Sequence, residues 1–330
     1  MKKSVIWCDF EIGEEWKFLQ GLNNATGLDF KIEKQTNNKV TTKLDNIVRY
    51  FKYFDFGFKA FLHRKQYENI VSWQQFYGLI YAFFSRLFHV KKQNFLAVMT
   101  FIYIPKRGVI GAIYKKFITY IITSRYIDKI FLYSTSEGKR YAKEFGISED
   151  KFVFVPLGHE LEDTEKAGDL EEGFLFASGY SNRDFDFLAN SLKGTRYVTR
   201  IYGRKNMFED NIIMSDERVE SKTNSMLEKC RLVLVPLKEN RESGQLTVLH
   251  AMKAGRPVIA TNADCMQDYI IDGVNGFLCP NEPDAWLEKI DLLYKDDVLY
   301  RKMSEECKKI YERRHTSYAM GVNVGKMILN

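Results

Sequence analysis

The sequence predicts two α/β domains built on parallel sheets, and three observations carry that reading. Short apolar runs alternate with longer amphipathic stretches along most of the chain, the pattern of successive βα units. The 330 residues, 45% hydrophobic and 28% charged, suffice for two globular cores. Between Pro156 and Phe174, Gly158, Asp163, Lys166, Asp169 and Glu172 stand among few apolar residues, which reads as a polar linker. The domains are therefore expected at 1–157 and 158–312, followed by a terminal stretch of about 313–330.

In the first domain, apolar runs place strands near 4–10, 69–73, 95–104, 129–135 and 151–157. Helical periodicity separates them, most clearly over Gly13–Leu22, Ile47–Leu62 and Ile110–Ile127. In the second domain, strands are expected near 174–178, 196–202, 231–237 and 257–261, with late helices near 284–294 and 297–312 and a last one from Thr316 to Leu329. The best-marked unit begins at Glu242: Ser243 is suited to cap a helix that Gly244 opens, Gly255 ends it, and Pro257–Thr261 is a short apolar strand. The free N–H groups and positive dipole end of such a helix favour an anion, phosphate in particular.

Composition narrows the setting. Cys8, Cys230, Cys265, Cys279 and Cys307 are scattered without a Cys-x-x-Cys pair, which argues against a disulfide framework or a zinc ribbon and for a reducing, cytoplasmic compartment. The apolar run at Val5–Phe10 is too short for a signal peptide, and Arg86 and Lys115-Lys116 interrupt the two longest candidate membrane spans. The net charge of +6 divides unevenly, with +11 on residues 1–157 and −5 on the remainder. A basic domain predicts an anionic partner. Two aromatic-rich basic stretches, Arg49–Lys65 and Ile110–Tyr126, suit the headgroup layer of an anionic membrane, although the same pattern arises when the aromatics are core and the lysines face water. No nucleic-acid recognition motif accompanies the charge.

The segment Glu242-Ser243-Gly244-Gln245-Leu246 through His250 to Thr261 resembles the donor-site signature of GT-B glycosyltransferases, particularly the nucleotide-sugar family numbered 4. Met266–Cys279, with Asp272-Gly273-Val274-Asn275-Gly276-Phe277-Leu278, is similar to a second family segment. Phe174–Asp184 and Leu227–Pro236 are similar to the glycine loop that opens the donor domain and to its later buried strand. The resemblance covers most of residues 173–280 in the family's order. It implies two Rossmann-like domains facing a central cleft, acceptor on the first and donor on the second, with the last helix packing back on the first. Open α/β sheets bind ligands at the carboxyl ends of their strands.

By that resemblance Glu242 is the catalytic residue that orients the transferred sugar, and the N–H groups of Gln245 and Leu246 bind the β-phosphate beside Ser243 and Gly244. His250 stands where the family has a second glutamate; a neutral imidazole offers one acceptor nitrogen, so its ribose contact is weaker or differently made. Gly179 and Arg183, between a strand and a helix, are expected at the diphosphate, with Gly203 and Arg204 (or Lys205) in place of the family's lysine. Asp184-Phe185-Asp186 matches an Asp-x-Asp metal motif only formally: two residues apart in a first helical turn, its carboxylates lie on different faces and suit a helix start. Neither metal nor cofactor is expected. On the acceptor side, Trp73 and Gln74 end one strand and Arg107 follows another; of the His and double-glycine loop that many family members carry there, the only counterpart is Gly13, beside Glu11 and Glu14.

The expected activity is transfer of a hexose from a UDP-sugar to a lipid-linked or oligosaccharide acceptor, with retention of configuration, by a peripheral protein at the inner face of the cell membrane. Two alternatives remain at this point: a catalytically silent GT-B subunit supporting a partner transferase, suggested by the missing second glutamate, and a UDP-sugar epimerase, which the basic aromatic half disfavours.

Overall fold

The computed structural model describes residues 2–12, 15–35, 42–160, 162, 168–203 and 207–329. Gly13, Arg204 and Lys205 therefore lie outside the described residues. The chain forms two compact units, Met1–Val155 together with Gly321–Asn330, and Pro156–Met320.

The first unit orders β1 (Lys3–Cys8), α1 (Lys17–Thr26), β2 (Phe30–Lys34), α2 (Lys43–Leu62), β3 (Tyr67–Ser72), α3 (Gln75–Leu87), β4 (Phe95–Val98), α4 (Gly108–Ile122), β5 (Lys129–Leu132), α5 (Thr135–Phe145) and β6 (Phe152–Phe154). Its six strands pair in the order β2-β1-β3-β4-β5-β6, every pair parallel. The strands are buried on both faces, hence the near-continuous apolar runs at Val5–Cys8 and Leu96–Val98.

The second unit orders β7 (Leu175–Ser178), α6 (Phe185–Leu192), β8 (Thr199–Tyr202), β9 (Met207–Glu209), β10 (Ile212–Ser215), α7 (Thr223–Lys229), β11 (Leu232–Val235), α8 (Gln245–Lys253), β12 (Val258–Thr261), α9 (Asp264–Gln267), β13 (Gly276–Cys279), α10 (Pro283–Lys295) and α11 (Asp297–Arg314). The sheet runs β13-β12-β11-β7-β8-β10-β9, parallel except for the β9–β10 pair. The last helix, α12 (Ser317–Leu329), passes from the second unit into the first at Gly321. There Gly321 and Gly325 lie against α1, so closely that a Cβ at 321 would collide with the Phe18 carbonyl and one at 325 would stand 2.7 Å from Ala25 Cβ.

Several boundaries differ from the sequence reading. The strand expected over 95–104 ends at Val98, because Thr100 adopts φ 53° and the chain leaves the sheet, held by the Tyr103 N–H donating to Tyr141 Oη at 3.1 Å. Helix α1 starts at Lys17 and continues to a left-handed Gly27 cap at φ 67°. Helix α4 stops at Ile122, not at Ile127. Strands β2, β9, β10 and β13 were not anticipated; each has only three to five residues and a mixed pattern, such as Phe30-Lys31-Ile32-Glu33-Lys34.

One buried group makes stability depend on pH. His315 is fully buried; its Nδ1 lies 2.9 Å from the Leu157 carbonyl and its Nε2 has no partner among the described residues. Burial lowers its pKa from 6.5 to about 4, so it is neutral when folded. The unfolded chain takes up the proton near pH 6.5 and the folded chain only near 4, so stability falls as pH falls through that window. Between pH 7.5 and 5 the loss from this residue should be about 2 kcal/mol. Denaturant titrations at the two pH values should show that difference in the wild type and a smaller one in His315→Gln.

Candidate nucleotide-sugar site

In the second sheet the chain leaves β7 for β8 on one side, while β11 pairs with β7 on the other. The loops after β7 and β11 therefore diverge at the sheet's topological switch point, where open α/β sheets bind ligands. A cavity of about 330 Å³ opens there, lined by Gly179 to Arg183, Phe185, Asp186 and Met214 on one side and by Lys238, Glu239 and Arg241 on the other.

The two loops are fastened to each other. Asn182, a non-glycine residue at φ 54°, donates through Nδ2 to the Glu239 carbonyl at 2.9 Å, and its Oδ1 accepts from the Glu239 N–H at 3.0 Å. Asp184 N–H donates to the Pro236 carbonyl at 3.0 Å, and Arg183 bridges Leu237. The β11 loop is held in turn by Thr261, whose Oγ1 accepts from Leu237 N–H at 2.7 Å and donates to Asn281 Oδ1 at 2.7 Å. Such a loop is ordered before any ligand arrives.

Arg183 lies at the centre. Its guanidinium donates to the Ser178 carbonyl at 3.2 Å, the Ser181 carbonyl at 2.9 Å, Ser243 Oγ at 2.8 Å and Thr247 Oγ1 at 3.3 Å. All four acceptors are neutral, and no carboxylate pairs with it among the described residues. Burial accordingly lowers its pKa from 12.5 to about 10. A glycine makes room for it: a Cβ on Gly179, at φ 134°, would stand 2.8 Å from Nη2, while Gly244, at φ 93°, is kept bare by Val235, 2.8 Å from where its Cβ would stand.

Gly244 caps α8 without a side-chain hydrogen bond. Ser243 is thus not the helix cap: its hydroxyl accepts from Arg183 and donates to the Ser181 carbonyl at 2.9 Å. The first N–H groups of α8, on Gln245 and Leu246, have no intrahelical acceptor by position. Glu242 is half-buried, two residues before the cap, and is not on the helix. The left-handed Gly244 turns the chain between Glu242 and His250, so the two do not share one helical face.

His250 is buried on α8, with Nε2 3.1 Å from His159 Nδ1. One ring must donate and the other accept, so His250 already spends one nitrogen on a protein partner. Burial lowers the pKa of His159, with Lys253 adding to the effect. His159 is held in place by its N–H donating to the His315 carbonyl at 3.1 Å and by Tyr311 Oη donating to its carbonyl at 2.8 Å. Gly203 packs its Cα on the Phe185 ring, where a Cβ would collide, and its N–H donates to the Ser215 carbonyl at 2.8 Å. It forms floor, not cavity wall.

Sequence reasoning missed Lys238, Arg241, Asn182, Thr247 and His159 in this site. Lys238 and Arg241 place further cations at the cavity. The available signal was their place just after β11, the strand that borders β7. Asp184 caps α6 by accepting the Phe187 N–H at 3.2 Å, and no cluster of metal-binding side chains occurs among the described residues. In the first unit Trp73 and Gln74 stand at the carboxyl end of β3, while Arg107 is the exposed residue before α4.

Two parallel α/β units in one chain, the second with an anion-seeking end at its switch point, make up the GT-B fold. The protein's fold matches the Anabaena Alr3699/HepE structure in complex with UDP (TM-score 0.66, 14% identity, all of both chains covered). It also matches a sucrose-phosphate synthase from Thermosynechococcus elongatus (TM-score 0.68, 12% identity, 99% of this chain and 98% of that one). In sequence it is 20% identical over 316 residues to the uncharacterized glycosyltransferase MJ1178 of Methanocaldococcus jannaschii, covering 83% of this chain and 90% of that protein. Residues 204–310 match the family model for glycosyl transferases group 1. Over residues 204–310 the chain is thus similar to the group 1 glycosyltransferases, which points to a transferase enzyme.

Proposed function

We propose that the protein transfers a hexose from a UDP-sugar to a lipid-linked or polysaccharide acceptor, with retention and without a metal ion. The observation that supports this most is the half-buried Arg183 charge among four neutral acceptors, beside the start of α8. A partly desolvated cation without a counter-charge gains most from a doubly charged diphosphate. As the sugar–phosphate bond breaks, charge builds on the leaving diphosphate, and Arg183 with the Gln245 and Leu246 amides takes the place of a metal. Glu242 holds a hydroxyl of the transferred sugar, and the His159–His250 pair adjoins the ribose.

In excess EDTA, a UDP-sugar should raise the thermal midpoint by several degrees and transfer should proceed at an undiminished rate. Activity that vanishes and returns with manganese would overturn the phosphate-site account.

A second observation favours work at a membrane surface. No helix among the described residues is long and apolar enough to cross a bilayer, yet α2, the loop before α4 and the start of α4 leave Phe51 70%, Ile104 72%, Val109 77% and Ile110 72% exposed. The aromatics of α2 divide: Tyr53 and Phe61 are core, while Phe51 and Phe54 face outward. Lys59 pairs with Asp55 at 2.7 Å and Lys115 with Glu144 at 2.8 Å, so Lys106, Arg107 and Lys116 are the better candidates for headgroup contact. Co-sedimentation should be strong with anionic vesicles, weak with neutral ones, and reduced by salt. Equal binding to both would remove the membrane from the reading.

A further inference from the structure

The first sheet has its own switch point. Strand β1 pairs with β2 on one side and β3 on the other, and the chain emerges from β1 at Asp9-Phe10 and from β3 at Trp73-Gln74. These loops are joined by the Gln74 N–H donating to the Trp7 carbonyl at 3.1 Å.

The Asp9 carboxylate is held from one side. Tyr53 Oη and Gln74 Nε2 both donate to its Oδ2, each at 2.7 Å, and Gln74 Nε2 also reaches Tyr53 Oη at 3.1 Å. The Gln74 amide is oriented because its Oε1 accepts the Phe76 N–H at 3.2 Å. Burial, then the hydrogen bond to Asp9, raises the Tyr53 phenol far above its usual range, so it remains a donor. No described residue donates to Oδ1, which is left to accept from a ligand.

Beside Asp9 is a nest of rings. Trp16 and Trp73 are 5.0 Å apart at 64°, Phe10 packs edge-on to both, and the fully buried Phe18 lies beneath, 4.8 Å from Trp73. The four tryptophans of the chain divide two and two. Trp7 and Trp286 are fully buried and donate their indole N–H groups to Glu33 and to the Pro280 carbonyl. Trp16 and Trp73 are half-buried, and neither indole N–H has an acceptor among the described residues. Buried indoles ordinarily find a partner, so two free donors on an aromatic wall are available to a ligand.

We infer that Asp9, Trp16 and Trp73 form a subsite for a neutral sugar ring of the acceptor: the apolar C–H face stacks on the indoles while hydroxyls bond Asp9 Oδ1 and the indole N–H groups. The carboxylate disfavours a phosphate or uronic acid here, and the paired polar and apolar chemistry fits a pyranose. The inference rests on the reading of the protein as a hexosyltransferase with a saccharide acceptor.

Saturation-transfer NMR on the full chain, with methyl and octyl glycosides of glucose, galactose and N-acetylglucosamine, tests it alongside UDP calorimetry. Ring-proton saturation is expected in the wild type, with affinity falling about fivefold or more in Trp73→Ala and Asp9→Asn. Trp73→Phe keeps packing on Phe18 and should keep stacking while losing one hydrogen bond, which guards against misreading a misfolded alanine variant. Equal methyl and octyl glycoside affinity would assign recognition to the sugar alone; tighter octyl binding would add a lipid contact to it. Unchanged saturation in both Trp73→Ala and Asp9→Asn, or none with any glycoside in a UDP-binding wild type, overturns the subsite. Failure of the wild type to bind UDP while glycosides still saturate would instead overturn the donor reading.

Discussion

Arg183→Met is expected to lower UDP affinity about a hundredfold while leaving the second unit folded. The side chain donates to four oxygens and carries a charge that no described residue neutralises. If it faces the diphosphate as proposed, removing it takes away at least one charge-assisted contact, on the order of 3 kcal/mol at a partly desolvated site. Methionine fills most of the volume between Gly179 and Gly244, so collapse of the loops should be limited; Ser243 and Thr247 can turn their hydroxyls to water. Arg183→Lys should recover only part of the loss, because an ammonium cannot span Ser243 and Thr247 while also facing a phosphate. Calorimetry with UDP and with uridine separates the effects. Uridine binding should hardly change, and an equal loss for both ligands would show that the substitution damages the pocket and not the phosphate contact.

Glu242→Gln should act on turnover instead. If Glu242 holds a hydroxyl of the transferred sugar as charge develops at the anomeric carbon, the amide keeps the shape and loses a charged acceptor. The cost should be roughly 2–4 kcal/mol in single-turnover transfer. UDP affinity should stay within about twofold of the wild type, the limit of an electrostatic effect on a ligand that lacks the sugar. Intact transfer in Glu242→Gln would end its assignment to the donor sugar.

The fold was legible because parallel strands buried on both faces write themselves as apolar runs, as at Val5–Cys8 and Leu232–Val235. The short edge strands β9 and β13 were not, since three or four residues carry too little pattern to stand out from a loop. What one stretch of chain makes was legible, as where Gly244 opens α8 directly after Glu242 and Ser243. The site was illegible where distant stretches meet. Nothing in the sequence ties Asn182 to Glu239, 57 residues on, or His159 to His250, 91 residues on. The role of Ser243 was misread for the same reason: a serine before a helix signals a cap, and only the fold brings Arg183 close enough to claim the hydroxyl.

The passage of α12 into the first unit at Gly321 bears on how the protein is made. On the ribosome, residues 1–155 emerge first and can pair all six of their strands. The groove of α1 beside Phe18 and Leu22, into which Gly321 and Gly325 fit, stays open until the second unit has been translated as well. At typical elongation rates of roughly 5–20 residues per second, that interval is on the order of ten seconds or more. During it, a nascent chain carries an uncovered helix face that a chaperone, or a neighbouring chain on the same message, is free to occupy.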